Sequence, residues 1–276
     1  MVQKWGRYNM PEVVEVDLQV KGLIHLEGQR ITRIHGWENT IEAAMYEGAS
    51  ILAINRFGKR ICFKLRRTNG GAVIMEASLG MTGGFYLNVI PNGMEVKVTF
   101  DISNGELLHF CDTRGFGSLV MYTLASHKAR YDLKFNKPDV LSSSPTAVYD
   151  ALCTARGRRI PIKQAIMSQE YILGMGNIYT SEVLFKAKIH PTRVCNFMTN
   201  EDMLAITRAI HAIIHNSHHR GGLSVKDYFH PDGSTGSAQD FLEVYMKDRC
   251  PICSTAIDQV TIYGRSSYFC PNCQKL

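Results

Sequence analysis

Four cysteines near the C-terminus carry the strongest chemical signal in the sequence. They form two Cys-X-X-Cys pairs separated by sixteen residues, Cys250 with Cys253 and Cys270 with Cys273. Each pair presents two thiolates on one side of a turn, and two such turns supply the closed tetrahedron that a structural Zn²⁺ ion prefers. The spacing predicts one structural zinc ion, while two disulfides or a redox pair are the competing interpretations.

The residues between the two pairs have the pattern of a β-hairpin with Arg265 near its tip. A ribbon of about thirty residues cannot build an adequate core alone, so metal binding would supply much of its folding free energy. An arginine on such a rigid hairpin suits a phosphate group, because its planar donors match two oxygens at once. A solvated arginine is the alternative at this position.

Composition permits many functions and excludes few. The chain has 276 residues, of which 45% are hydrophobic and 20% charged, so it can bury a large core in two modest domains. Its net charge of +6 makes a polyanionic partner possible without identifying one. No segment has a signal-peptide core or the roughly 18 apolar residues of a membrane span, so we expect an intracellular protein. The other cysteines, expected to be reduced core residues, are Cys62, Cys111, Cys153 and Cys195.

The elements that must position these groups divide the chain into two patterns. Residues 51–122 alternate short apolar runs with turn signals such as Asn104-Gly105, which is typical of antiparallel strands. Apolar residues at near-helical spacing over 12–26 predict one helix before the sheet. Two prolines and three serines within 134–145 indicate a connector between domains.

Beyond the connector the pattern becomes helical. Residues 160–193 predict a helix, a glycine-rich turn and a second helix. Asn200, Glu201 and Asp202 provide a cap and an acidic first turn for a longer helix that ends near Gly221-Gly222. The second half of the chain is therefore expected to be a helical domain followed by the ribbon.

Several segments together resemble the formamidopyrimidine-DNA glycosylase and endonuclease VIII family, and are closer to the formamidopyrimidine branch. They are MPEVVEV near the start, LGMGNIYTSEVLF, the Gly-Gly pair followed by KDYFHPDG, and the ending YGRSSYFCPNCQ. The resemblance implies an α+β protein with an N-terminal antiparallel β-sandwich and leading helix, a helix-two-turns-helix domain and a C-terminal zinc β-hairpin. The expected boundaries are an extension at 1–10, the sandwich at 11–133, a linker at 134–147, the helical domain at 148–236 and the hairpin at 237–276.

The same resemblance implies a bifunctional DNA glycosylase and AP lyase of base excision repair. Such an enzyme excises oxidised purines, 8-oxoguanine and formamidopyrimidines, through a Schiff base on its N-terminal proline and cleaves the strand by β,δ-elimination. Pro11 matches that proline, Glu12 the acid that protonates the sugar, Lys59 the lysine that reaches the damaged nucleotide, and Arg265 the arginine of phosphate binding and elimination. An α-amine titrates near about 8 and a lysine near about 10.4, so a terminal amine is the better nucleophile at neutral pH.

Extruding a base from a duplex leaves a gap in the stack that side chains must fill. By resemblance, Met81, Arg114 and Phe116 fill that gap, although core residues at strand ends are an equal alternative for Met81. Asn177 matches an asparagine whose loop binds phosphate, and a helix N-terminus there would favour an anion. Contacts to the DNA backbone are expected from Arg158, Arg159 and Lys163. The expected partner is damaged double-stranded DNA, bound by a cytoplasmic, nucleoid-associated monomer without membrane contact.

The sequence departs from the family pattern at a few positions. Val14 replaces a second proline, Ser78 stands where histidine is frequent, and Ser168 stands where aspartate is frequent. Nine residues precede Met10, and while they remain the nitrogen of Pro11 is a tertiary amide that cannot form an iminium. We therefore expect synthesis to begin at Met10, or the extension to be removed, with later trimming to Pro11.

Two other functions remain open at this point. A protein that retained the extension would be a catalytically silent binder of damaged DNA. A zinc-ribbon protein that binds RNA or another protein is a further alternative, but it needs neither the Pro-Glu start nor DTRGFG. Oxidised pyrimidines also remain possible substrates, because residues 219–232, expected to cover the extruded base, differ from the family pattern.

Overall fold

The computed structural model describes residues 11–36, 45–224 and 228–276, so the predicted N-terminal extension lies outside the described residues. The chain forms two compact units. Unit 1 contains Pro11 and the segments Glu15–Tyr131 and Gly221–Ser237. Unit 2 contains Glu12–Val14, Asp132–Arg220 and Ala238–Leu276.

Unit 1 is built on the predicted helix and antiparallel strands. Helix α1 (Val13–Leu23) ends in a short 3-10 turn, Ile24–Leu26. One four-stranded sheet has the order β1-β6-β7-β5, with β1 Ile31–His35, β6 Val96–Ile102, β7 Leu107–Cys111 and β5 Gly84–Leu87. The other has the order β2-β3-β4-β8, with β2 Ser50–Phe57, β3 Arg60–Arg66, β4 Ala72–Ser78 and β8 Ser118–Thr123.

The core of unit 1 lies between the two sheets and receives one face of α1. Alternate residues of each strand point inward because successive side chains of a strand lie on opposite faces. On β3 the inward residues are Ile61, Phe63 and Leu65. The ring of Phe85 on β5 lies 5.1 Å from that of Phe63, so aromatic contacts join the two sheets. The predicted α+β class and the sandwich architecture are confirmed.

Segment Gly221–Ser237 belongs to unit 1, whereas the sequence assigned most of it to the helical domain. Two buried polar side chains of α1 hold its described parts. Glu15 Oε1 accepts the N–H of Leu223 at 2.8 Å, and Gln19 Nε2 donates to the carbonyl of Phe229 at 2.9 Å. The hydroxyl of Tyr228 donates to the carbonyl of Glu15 at 2.6 Å. These contacts join residues about two hundred positions apart, which no local pattern reveals.

Unit 2 contains the predicted helices: α3 (Pro145–Cys153), α4 (Ile162–Met167), α5 (Asn177–Lys186) and α6 (Asn200–His219). Helix α2 (Leu124–Lys134) connects β8 to this part of the chain. The cap of α6 is Thr199, one residue earlier than predicted. Its hydroxyl accepts the N–H of Asp202, whose carboxylate accepts the N–H of Thr199, and this reciprocal pair is a capping box.

The predicted connector is partly folded against unit 2. Val140 is fully buried, and its N–H donates to the carbonyl of Leu173 at 3.1 Å. In the described part of the chain, no helix combines the length and apolar character needed to cross a membrane.

The C-terminal ribbon consists of β9 (Asp258–Ile262) and β10 (Arg265–Phe269) beside the four cysteines. The buried carboxylate of Glu182 on α5 fastens the segment before it by accepting the N–H groups of Glu243, Val244 and Tyr245 at 2.8, 3.1 and 2.7 Å. Burial nevertheless raises the pKa of Glu182. Gln274 Nε2 adds a second link by donating to the carbonyl of Ile189 at 2.9 Å.

Candidate functional site

The carboxylate of Glu12 is fixed at the N-terminus of α5. Its Oε2 accepts the N–H of Gly176 and its Oε1 the N–H of Ile178, both at 2.7 Å. Gly176 has no side chain to obstruct this approach, since a Cβ there would lie 2.3 Å from Glu12 Cδ. The first turn of a helix stabilises a negative charge, so backbone geometry holds Glu12 in one orientation immediately after the buried Pro11.

This arrangement occupies part of the helix N-terminus at which Asn177 was predicted to bind phosphate. The N–H groups of Gly176 and Ile178 already bind the Glu12 carboxylate. Asn177 instead donates from Nδ2 to the carbonyl of Ser266 at 3.0 Å. This bond joins α5 to the ribbon directly beside Arg265, whose side chain is exposed. The structure therefore brings Asn177 and the Arg265 hairpin together.

Lys163 also differs from its prediction as a surface contact to the DNA backbone. The residue is fully buried on α4, and its Nζ donates to Ser181 Oγ at 3.0 Å. Burial lowers the pKa of Lys163 to about 7, although the charge of Glu12 partly opposes the shift. A buried ammonium group cannot reach a phosphate from the protein surface. Arg158 and Arg159, in contrast, are exposed and remain available for that role.

Lys59 lies in the tight turn between β2 and β3, partly exposed as its predicted role requires. Arg56 braces the turn by contacting Asp17 on α1 at 3.1 Å and the carbonyl of Gly58 at 2.9 Å. The carboxylate of Glu15, three residues after Glu12, is buried and accepts the N–H of Leu223. The contacts of Arg56 therefore hold the turn that carries Lys59 in place. Glu15 holds the segment that follows α6.

Met81, Arg114 and Phe116 form one cluster on two neighbouring loops of unit 1. Arg114 Nη1 lies 3.3 Å from Met81 Sδ, and its guanidinium carbon lies 5.0 Å from the centre of the Phe116 ring. Phe116 is 58% exposed, so its ring is accessible to a partner. We call these three residues the wedge cluster. Their position favours the predicted gap-filling role over core residues at strand ends.

Two buried groups that the sequence did not single out build the loops of the wedge cluster. The carboxylate of Asp112 accepts Thr82 Oγ1 at 2.6 Å and the N–H of Gly117, while Thr82 Oγ1 accepts the N–H of Arg114 at 3.1 Å. Gly80 lies where the loops cross, with a positive φ of 60°, and a Cβ there would meet the Phe116 carbonyl carbon at 2.5 Å. An aspartate followed by two glycines signals a turn, but not a carboxylate that organises it.

The four ribbon cysteines converge as the zinc prediction requires. Their Sγ atoms lie 3.8 Å apart for Cys250 and Cys273, and 3.5 Å apart for Cys253 with each of Cys270 and Cys273. Zinc–sulfur bonds of about 2.3 Å give tetrahedral edges of about 3.8 Å, whereas a disulfide requires about 2.05 Å. All four thiols are free of disulfide bonds. The ribbon thus holds one structural zinc ion, and four thiolates leave it no open position.

Comparison with protein families accounts for nearly all of the chain. Residues 10–119 match the formamidopyrimidine-DNA glycosylase N-terminal domain, and residues 138–228 match the H2TH domain of the same glycosylase. Residues 247–276 match a zinc finger found in FPG and IleRS. The three matches follow the order of the sandwich, the helices and the ribbon.

Individual relatives agree with the family matches along their whole length. The formamidopyrimidine-DNA glycosylase of Hydrogenovibrio crunogenus is 34% identical, over 96% of this chain and 97% of its own. The Thermus thermophilus MutM (Fpg) structure is 30% identical with a TM-score of 0.81, covering 96% of this chain and 98% of its own. The Lactococcus lactis Fpg in complex with abasic-site DNA is 26% identical with a TM-score of 0.83, covering 96% and 100%.

Proposed function

Because the chain belongs to the formamidopyrimidine-DNA glycosylase family, we propose that it is a bifunctional glycosylase and AP lyase that removes oxidised purines from double-stranded DNA. The observation that carries this proposal is the wedge cluster, an exposed aromatic ring held by an arginine on two braced loops. Such a group suits an enzyme that must extrude a nucleotide and fill the gap. Among the similar structures, a mutant of the Lactococcus lactis FPG is in complex with Fapy-dG-containing DNA.

The chemistry begins at Pro11. Its secondary amine attacks C1′ of the damaged nucleotide, and the bond from C1′ to the base breaks as the base leaves. Loss of the amine proton and opening of the sugar ring give an iminium ion that joins Pro11 to C1′. The cation makes the C2′ proton acidic, so β-elimination breaks the C3′–O bond and δ-elimination then breaks the C5′–O bond. Base removal and strand cleavage follow from one covalent intermediate.

Glu12 supplies the proton for ring opening. The residue follows the nucleophile directly in the chain, and its two backbone donors prevent the carboxyl group from rotating away. Once protonated, it donates to the ring oxygen of the sugar as the C1′–O bond breaks. Lys59 contacts the damaged nucleotide from the braced β2–β3 turn, and Arg265 binds phosphate and assists the elimination.

DNA is held by both units. In unit 2, Arg158 and the exposed Arg265 bind phosphates, and Asn177 maintains the hairpin that carries Arg265. In unit 1, the wedge cluster fills the gap that the extruded nucleotide leaves in the base stack. The ribbon zinc closes the hairpin through four thiolates and gives Arg265 a rigid support. We further propose that the protein acts as a monomer in the cytoplasm, associated with the nucleoid.

A free amine at Pro11 is essential to this mechanism, so we propose that Pro11 is the mature N-terminus, through initiation at Met10 or removal of the preceding residues. The second candidate function, a silent binder of damaged DNA, applies to a chain that retains them. The amide nitrogen of an internal proline has no lone pair available for attack, and such a chain would bind the lesion without releasing the base.

A panel of duplexes tests this function with protein that begins at Pro11. Each duplex carries one 8-oxoguanine, formamidopyrimidine, oxidised pyrimidine or undamaged base. We expect release of the two oxidised purines, with phosphate at both ends of the resulting gap. Preferential release of oxidised pyrimidines would overturn the assigned substrate class; that class is a real competitor, since one similar Lactococcus lactis structure contains oxidised-pyrimidine DNA. Binding without release from any duplex would instead support the silent binder.

A further inference from the structure

A second group of metal-binding side chains lies on the outer face of the β2-β3-β4-β8 sheet, opposite the core. Cys62 on β3 and Glu76 on β4 are direct cross-strand partners, and both are almost fully buried. His127 on α2 completes the group. Within the part of the chain that the structure describes, this triad and the four ribbon cysteines are the two groups with metal-ligand geometry.

The distances in the triad are compatible with a tetrahedral metal site. His127 Nε2 lies 3.5 Å from Cys62 Sγ and 3.5 Å from Glu76 Oε2. The second distance is long for an N–H···O hydrogen bond, which is usually about 2.7–3.2 Å. Zinc bonded to sulfur, nitrogen and oxygen gives edges of about 3.6 Å between sulfur and nitrogen and about 3.4 Å between nitrogen and oxygen. The Sγ–Sγ distances between the ribbon cysteines agree in the same way with those expected between the sulfur ligands of a tetrahedral zinc ion.

The donor set also selects the ion. A thiolate, an imidazole and a carboxylate are all ligands of Zn²⁺, and the two anionic ligands balance its charge. The other carboxylate oxygen, Glu76 Oε1, accepts Arg130 Nη2 at 3.0 Å and faces Arg60 Nη1 at 3.8 Å. Hydrogen bonds of this kind orient a ligating carboxylate. The positive charge of the arginines opposes a cation, so we expect weaker binding than at the four-thiolate site.

The position of His127 gives the ion a structural consequence. None of the residues of α2 is buried, so apolar packing contributes little to holding this helix on the sheet. Its contacts with the sheet include His127, between the rings of Phe57 and Tyr122 at 6.1 and 5.9 Å, Tyr131, whose ring lies 4.9 Å from Phe57, and Arg130, which donates to Glu76. A metal bond to His127 would connect the helix to two adjacent strands.

We propose that Cys62, Glu76 and His127 form a second zinc site, with a water molecule in the fourth position, which fastens α2 to the outer face of the sheet. On binding, the ion replaces the thiol proton of Cys62, which leaves to solvent. This site shares no ligand with the ribbon, and the proposal does not depend on the proposed function.

Zinc content per chain tests the proposal on the whole protein. After equilibration with Zn²⁺ alone and removal of unbound metal, the native chain should hold two zinc ions. Treatment with a mild chelator should leave one zinc ion per chain. His127→Ala should hold one ion under both conditions. Loss of a group that hydrogen-bonds to a metal ligand typically weakens metal binding about 10- to 100-fold, and loss of a ligand itself should weaken the second site further. Cys111→Ser, a buried thiol of unit 1 outside the triad, should hold two.

One ion in the native chain, or two in His127→Ala, would overturn the proposal. Alanine favours helix and the position is not in the core, so this variant should fold even if Cys62→Ser does not. Cobalt substitution provides a second readout. The absorption spectrum of the cobalt-loaded native chain, after subtraction of the spectrum of cobalt-loaded His127→Ala, should show one thiolate-to-cobalt charge-transfer band. A difference spectrum without that band would contradict a cysteine ligand.

Discussion

Gly176 and the carboxylate of Glu12 lie so close that no side chain fits between them. The N–H of Gly176 donates to Glu12 Oε2 at 2.7 Å, and a Cβ on Gly176 would lie 2.3 Å from Glu12 Cδ. The glycine therefore acts as a positioning residue for the acid that we place beside the nucleophile. Its importance comes from proximity to a group 164 residues earlier in the chain, not from its own backbone angles.

Substituting Gly176 with alanine should displace Glu12 and reduce base release by at least about 100-fold, as expected for loss of a positioned proton donor. The overpacking should also destabilise the fold by about 1–3 kcal/mol. Gly157→Ala is the matched control, because a Cβ at Gly157 meets no atom within 4 Å. Single-turnover excision rates, with circular dichroism to verify folding, make the comparison. Equal rates for the two variants would show that the contact with Glu12 does not matter for catalysis.

The wedge cluster predicts a binding defect for Phe116→Ala. A ring that stacks in the gap contributes about 1–3 kcal/mol, so affinity for a duplex with an abasic-site analogue should fall about 5- to 150-fold. Affinity for undamaged duplex should change little. Phe197→Ala removes a ring that is 70% exposed from unit 2 and serves as the control. Fluorescence anisotropy measures both affinities, and a uniform loss on the two duplexes would contradict a gap-filling role.

Lys163 predicts a specific pH dependence of stability. Its pKa is about 7 in the folded protein against the ordinary lysine value of 10.5, so between these values the unfolded chain binds more protons. Stability attributable to this residue therefore rises with pH across that window, by at most about 1.4 kcal/mol per pH unit. Relative to Lys163→Met, the native chain should become progressively more stable between pH 7.5 and 9.5.

Urea unfolding at several pH values measures that difference. Lys186→Met, at an exposed position of the same unit, should show a constant difference from the native chain over the same range. A constant difference for Lys163→Met would mean that its ammonium group is not desolvated as the structure places it.

Removing the ribbon zinc should weaken DNA binding by disordering the hairpin that carries Arg265. The His127→Ala variant is the suitable background, since only the ribbon ion then remains to be removed by a strong chelator. Affinity for the abasic-site duplex should fall at least about tenfold and return when Zn²⁺ is restored, because metal binding and folding of such a ribbon are coupled. Undiminished affinity of the metal-free protein would contradict a role for the ribbon in binding DNA.

Sequence patterns predicted those parts of the molecule that depend on local spacing. The Cys250–Cys273 ligand set, the leading helix, the strand-rich first half and the long helix after Thr199 all follow from short-range periodicity and turn residues. The site itself depends on contacts between distant segments. The burial of Lys163, the anchoring of Leu223 by Glu15, and the occupation of the α5 N-terminus by Glu12 appear only when the chain is folded.

Cys62 illustrates the same limit. As one of four scattered cysteines it was expected to be a core residue, and it is indeed buried. Strand alternation, however, places it on the face opposite Ile61 and Phe63, where Glu76 and His127 meet it. The pairing of β3 with β4 and the return of α2 over the sheet decide this environment, and neither can be read from spacing.

The whole proposed mechanism depends on the amine of Pro11 as the nucleophile. Protein beginning at Pro11 should be incubated with an 8-oxoguanine duplex and borohydride, which reduces an iminium to a stable amine, and the adduct should be located by peptide mass spectrometry. We expect one covalent adduct per chain, located on Pro11, and its loss in Pro11→Gly with DNA affinity nearly unchanged. An adduct on Lys59 or another lysine, or undiminished trapping in Pro11→Gly, would contradict it.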